Sequence, residues 1–232
     1  PDFLLHSVCF TDANTGYAAG SGPNGDLILK TIDAGINWND IYSDMGGELL
    51  SICFPTVSTG YAVGVLGDIV KTTNGGSTWT TLSSGTSQTL KSVFFLDDNT
   101  GYAVSDYGDI LKTINGGTTW NALSSGTTSS LTSVFFTSAD TGFVCGWDGT
   151  LLKTVNAGTT WTLDTNGLGP HYMFDIFLSM YFTDANHGYI AGRGVGENWE
   201  DGNIFKTTNA GASWTLVPIV SNGLLTSVFF PD

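Results

Sequence analysis

Thr31–Trp38 (TIDAGINW), Thr72–Trp79 (TTNGGSTW), Thr113–Trp120 (TINGGTTW), Thr154–Trp161 (TVNAGTTW) and Thr207–Trp214 (TTNAGASW) are five copies of one motif. Their tryptophans fall 41 residues apart from Trp38 through Trp79 and Trp120 to Trp161, and Trp214 follows after 53. A second motif precedes each copy: Ser7–Phe10, Ser51–Phe54, Ser92–Phe95, Ser133–Phe136 and Ser179–Phe182, with a sixth occurrence at Ser227–Phe230. A third, glycine–aromatic–apolar, stands between them at Gly16–Gly20, Gly60–Gly64, Gly101–Ser105, Gly142–Gly146 and Gly188–Gly192. Each repeat therefore reads as four short strands, a to d. All are rich in Val, Ile, Phe, Tyr and Thr and bounded by Gly, Asn or Asp. Strand a is the L-x-S-V-x-F run, b is GYAVG, c is the I-L-K-T run, and d starts at the tryptophan. The Asn-Gly-Gly or Asn-Ala-Gly between c and d supplies the positive φ of a tight corner.

Four strands every 41 residues define an all-β fold, a β-propeller of four-stranded antiparallel blades. Five units are complete, at about 5–48, 49–89, 90–130, 131–175 and 176–223, and 224–232 is the first strand of a sixth. The chain reads as one propeller domain over 1–232, or as a fragment of a longer one. The lack of an initiator Met and the ending just after Phe230 favour the fragment. A terminal blade then needs a partner for its edge, either a second copy or sequence not included here.

Composition narrows the function. The 232 residues carry 7 Lys+Arg against 21 Asp+Glu, a formal charge of −14, which excludes a nucleic-acid binder that relies on clustered cations. No apolar run approaches the roughly 18 residues of a membrane span. Aromatic residues make up 12% of the chain, too many for a disordered segment. Three cysteines (Cys9, Cys53, Cys145) without CxxC spacing argue against zinc and against a disulfide framework. Equal slots in neighbouring blades should turn Cys9 away from Cys53. No cofactor and no metal site is expected.

The motif T-x-[DN]-[GA]-G-x-[TSN]-W resembles the Asp-box, or bacterial neuraminidase repeat. The whole unit, with its GYAVG and I-L-K-T-T-N-G-G-x-T-W, is most similar to the photosystem II stability/assembly factor-like repeat. The resemblance covers essentially the entire chain. It implies that the box is a structural hairpin and not a catalytic site. The box residues are Asp33, Gly35 and Trp38; Asn74, Gly76 and Trp79; Asn115, Gly117 and Trp120; Asn156, Gly158 and Trp161; Asn209, Gly211 and Trp214. Only Asp33 keeps the acid of the usual pattern. The resemblance also admits a sialidase, but that family clamps its substrate with three arginines and this chain has one, Arg193. Photosynthetic assembly factors are expected to dock through an arginine-rich patch, which is missing for the same reason.

Recurrence separates scaffold from the rest. Lys30, Lys71, Lys112, Lys153 and Lys206 all precede the box threonine, so they belong to the blade and should lay their stems on apolar surface. His187 stands in the slot of Thr15, Thr59, Thr100 and Thr141. The a–b and c–d connections have constant length. The step from the end of b to the strand-c lysine is 7 in three units, but 10 for Gly20–Lys30 and 14 for Gly192–Lys206. The step from Trp161 to Ser179 is 18, where the other units have 13. In an up-and-down blade every such insertion emerges on one face, and binding concentrates on such loops. The non-recurring residues there, Tyr107, Trp147, Asp148, His171, Arg193, Glu197 and Trp199, form the candidate ligand-binding set. Aromatic plates beside carboxylates suit a sugar ring or a gripped peptide; the alternative reading buries the aromatics against neighbouring blades. Glu197, Glu200 and Asp201 read as a solvated acidic loop.

The expected function is a non-catalytic binding or scaffolding module for a protein or carbohydrate ligand, extracellular, surface-displayed or periplasmic. The alternatives are a photosystem-type assembly factor and a glycoside hydrolase other than a sialidase. The three glutamates form no recognisable pair for the latter.

Overall fold

The computed structural model of the chain describes residues 3–168, 176–194, 202–218 and 223–230. It contains five four-stranded antiparallel sheets in strict sequence order. The first holds β1 (Leu4–Phe10), β2 (Gly16–Gly22), β3 (Gly25–Thr31) and β4 (Asn39–Asp44). The second holds β5 (Leu49–Cys53), β6 (Gly60–Gly64), β7 (Ile69–Thr72) and β8 (Thr80–Leu82). The third holds β9 (Leu90–Phe95), β10 (Gly101–Ser105), β11 (Ile110–Thr113) and β12 (Asn121–Leu123). The fourth holds β13 (Leu131–Phe136), β14 (Gly142–Gly146), β15 (Leu151–Thr154) and β16 (Thr162–Leu163). The fifth holds β17 (Ile176–Phe182), β18 (Gly188–Arg193), β19 (Gly202–Thr207) and β20 (Thr215–Val217). These are the blades of a β-propeller. The fourth strand of each starts one residue after the tryptophan and not on it, because the tryptophan still belongs to the box loop.

The chain forms two compact units: Pro1–Ser105 with Ile110–Ala122, and Asp106–Asp109 with Leu123–Asp232. Within each unit the core lies between sheets. In the first, Tyr17, Ala19, Ile28, Leu49, Ile52, Ala62 and Val70 fill one layer, and Tyr61, Val63, Ile69, Leu90, Val93, Phe95, Ala103 and Leu111 the next. In the second, Phe143, Cys145, Phe177, Met180, Phe182, Ile190, Phe205 and Trp214 form one layer.

Three contacts recur from sheet to sheet. The strand-a serine accepts the main-chain N–H of the following strand a: Ser7 from Ile52, Ser51 from Val93 and Ser133 from Met180, at 3.2–3.3 Å. The strand-b ring stacks on the next strand-a phenylalanine, Tyr17 on Phe54 at 3.9 Å, Tyr61 on Phe95 at 3.6 Å and Phe143 on Phe182 at 4.6 Å. The strand-c lysine donates to a carbonyl of the next box: Lys30 to Gly75, Lys71 to Gly116 and Lys153 to Ala210, at 2.6–2.8 Å. Each of these ammonium groups also sits 5.2–5.3 Å from the centre of the strand-b ring of its own sheet. The lysines are scaffold, but through their heads as well as their stems. The sixth strand-a segment takes the same seat on the fifth sheet, with Val228 N–H donating to Ser179 Oγ (3.2 Å) and Phe230 lying 4.4 Å from the Tyr189 ring.

Inside each sheet the box tryptophan meets the strand-a phenylalanine edge to face, as in Phe95–Trp120 at 5.8 Å and 87°. The box threonine hydroxyl accepts the N–H of the second glycine (Gly76 N to Thr72 Oγ1, 2.9 Å) and donates to the box Asn or Asp. The Asp33 exception has a partner. Asn74, Asn115, Asn156 and Asn209 each donate through Nδ2 to the hydroxyl four residues on, whereas Asp33 accepts from Asn37 Nδ2 at 2.7 Å. Donor and acceptor have exchanged ends with no loss of hydrogen bonds.

All three cysteines are free thiols, and burial pushes them up, Cys145 to about 12. Cys9 adds a smaller upward push at Cys53. The two lie within electrostatic reach, and each thiol faces the main chain of the following strand a, Cys9 at Phe54 and Cys53 at Phe95, so the equal slots point the same way along the chain.

Candidate binding face

The b–c and d–a connections leave each sheet at the same end. In the second and third repeats the b–c connection is a single 3₁₀ turn, Val65–Gly67 and Asp106–Gly108. Its middle residue has positive φ: Leu66 at 57°, Tyr107 at 65° and, in the fourth repeat, Asp148 at 54°. An aromatic side chain in the left-handed region is unusual and strained. Tyr107 gains no burial from it, since it is 69% exposed. The glycine that follows is required by crowding as well as by φ. At Gly108 (φ 86°) a side chain would run into the Thr127 carbonyl.

Two open grooves meet on this part of the second unit. One, about 590 Å³, runs between Tyr107, Asp109 and the loop Leu123–Thr128. The other, about 430 Å³, lies beyond the same loop, bordered by Ser129, Asp148, Thr150 and Trp161. The ridge between them is Ser125–Thr127, held by Ser125 Oγ donating to Thr127 O (3.1 Å) and accepting Thr127 N–H (3.2 Å). Asp148 is fixed by Ser129 Oγ at 2.9 Å and Asp106 by Ser130 Oγ at 2.6 Å. Both volumes fall in the range of ligand sites. The lining of hydroxyls, carboxylates and one exposed ring suits hydrogen bonding to an extended polar chain.

Tyr107 and Asp148 thus sit on opposite sides of one ridge, as members of the predicted set. Trp147 is 48% exposed, against the reading that buries it, but it borders neither groove. It occupies the slot of Val65 and Asp106, one residue before the turn's middle position, so Tyr107 and Trp147 are not equivalent. Arg193 ends β18, paired with Ile176 and Gly202, and half-buried. His171, Glu197 and Trp199 lie outside the described residues. Sequence reasoning misses the Ser125–Thr127 ridge: SSGT recurs at Ser83–Thr86 and Ser124–Thr127, and recurrence by itself points to scaffold. Among the described residues no three His, Cys, Asp or Glu side chains form a metal-binding group, and no helix is long and apolar enough to cross a membrane.

Repeated Asp-box sheets with grooves on their loop face define a propeller of the binding and assembly class. The family model described as photosynthesis system II assembly factor YCF48 matches residues 2–133 and again 77–166, and the chain belongs to that family. No curated protein matches. Among solved structures, YCF48 from Cyanidioschyzon merolae is similar at 17% identity and TM-score 0.63, over 93% of this chain and 85% of that one. A structure of YCF48 bound to D1 peptide is similar at 17% identity and TM-score 0.50, over 91% and 80%. The GH74 enzyme of Niastella koreensis is similar at 20% identity and TM-score 0.70, over 91% of this chain and 38% of that one. At these identities the solved structures speak for the fold alone.

Proposed function

We propose that this chain is a non-catalytic binding propeller that holds an extended segment of a partner protein across the Ser125–Thr127 ridge, between Tyr107 and Asp148. The carrying observation is the pair of grooves that share this ridge. Membership of an assembly-factor family supports a protein ligand, as does the D1 peptide bound by one structurally similar protein. The partner should be neutral or basic, because the chain bears −14 and its blade lysines are engaged between sheets. The acidic, Ser- and Thr-rich composition supports an extracellular or periplasmic setting. Self-association belongs to the same proposal: Leu5, Val8 and Phe10 of β1 are exposed where Leu90, Val93 and Phe95 are buried.

An array of extended peptides of varied charge tests the reading. Binding of neutral and basic sequences, reduced at least about tenfold by Tyr107→Ala or Asp148→Ala, supports it. Binding confined to a glycan array and dependent on Trp147 would move the ligand to carbohydrate. Release of reducing sugar from polysaccharide would overturn the non-catalytic assignment.

A further inference from the structure

Asp26 is a buried carboxylate that the blade does not explain. It lies near the start of β3, just after the lengthened first b–c connection, at the slot filled by Gly67 and Gly108 in the next two repeats. It is 3% exposed, and its Oδ1 has no hydrogen-bond partner among the described residues. The lysine of its own strand, Lys30, is four residues along β3, about 13 Å away, and is committed to Gly75 O. A second carboxylate, Asp68, faces the same point from the next repeat. Gly46, in the d–a connection, marks that point: a methyl group there would collide with Asp26 Oδ2 and lie 2.8 Å from Asp68 Oδ2. Asp44 contributes further negative charge from the end of β4, with its Oδ1 accepting Met45 N–H at 2.7 Å. A buried, unpaired carboxylate needs a proton or a cation to offset its desolvation.

We propose that Asp26 and Asp68, which converge over Gly46, bind a divalent hard cation of the calcium type in the first unit. Two carboxylates are the protein's charged ligands, and water completes the oxygen shell such an ion takes. So few charged ligands place the affinity in the weak class, about 10⁻⁴–10⁻³ M. Bound there, the ion ties the start of β3 and the b–c connection of the next repeat to the d–a connection between them.

The test is a thermal melt of the full chain at pH 7.5, stripped with chelator and then titrated with calcium chloride or magnesium chloride. The expected result is a saturable rise in midpoint with calcium, weaker with magnesium. Asp26→Asn and Gly46→Ala should each weaken the response at least about tenfold, the second without any change of charge, while Asp40→Asn, on an exposed strand residue, should retain it. Asp68→Asn supplies a second ligand variant if Asp26→Asn does not fold. A midpoint that stays put up to about 10 mM calcium, or a response that all variants share, overturns the site and leaves Asp26 to hold a proton.

Discussion

Replacing Asp26 by Asn should abolish the pH dependence that its burial imposes. In the folded chain the Asp26 carboxyl is pushed up to about 6, mainly by burial and then by the charges of Asp68 and Asp44, against an ordinary 3.8. Asp68 is also raised, by burial and then Asp44, and the nearby Tyr42 hydroxyl is held up to about 12, so it stays neutral throughout. The roughly two-unit difference at Asp26 corresponds to about 3 kcal/mol at most. Between pH 3.8 and 6 the folded chain keeps a proton that the unfolded chain has released. Stability is therefore full below the unfolded value and falls as pH rises through the folded one. Asparagine has no proton to lose. In the presence of chelator, urea titrations at half-unit steps from about pH 4 to 8 should show Asp26→Asn gaining on the parent by about 2–3 kcal/mol across that range, with the change centred between about pH 4 and 6. A difference constant within about 0.5 kcal/mol over the whole range would refute the buried-carboxylate argument.

Four further outcomes are expected. Gly75→Ala should be nearly neutral, because Ala34, Ala157 and Ala210 hold the equivalent position at φ 55–59°. Gly76→Ala should lose about 2–4 kcal/mol in urea melts, since its φ is 80° and the new methyl would sit 2.8 Å from Ile41 Cδ1. Lys71→Met removes the donor to Gly116 O and the cation over Tyr61, and a loss of about 1–3 kcal/mol should appear in the denaturation midpoint. Tyr107→Gly should relieve the left-handed backbone and raise stability by about 1 kcal/mol while abolishing peptide capture; a stability loss would contradict the strain.

The blade is legible from its period because each repeated residue answers to a repeated contact. The serine of strand a, the tyrosine of strand b and the lysine of strand c recur since every sheet must grip the next. The pairing of Asp33 with Asn37, where other boxes pair Asn with a hydroxyl, is visible in the motif, but its meaning needs the hydrogen bonds. Tyr107 and Asp148 stand out because they break the rhythm. Two features do not. The Ser125–Thr127 ridge repeats and so passes for scaffold, although a repeated loop can also border a groove. Asp26 looks like one aspartate among many, and only the approach of Asp68 and Gly46 from distant positions in the chain sets it apart. Spacing along a sequence reports what each unit shares, and it is silent on which side chains from different units converge.

The fasteners between sheets all point the same way along the chain: one sheet contributes hydroxyl, ring and ammonium, and the next answers with amide, ring and carbonyl. Every blade thus has a head and a tail that are different surfaces. A duplicated repeat inserted into the gene would arrive with both already matched to its neighbours, whereas an inverted one would find no counterpart. Growth by tandem copying is the evolutionary path that such polarity leaves open, and novelty is confined to the connections that the fasteners do not touch.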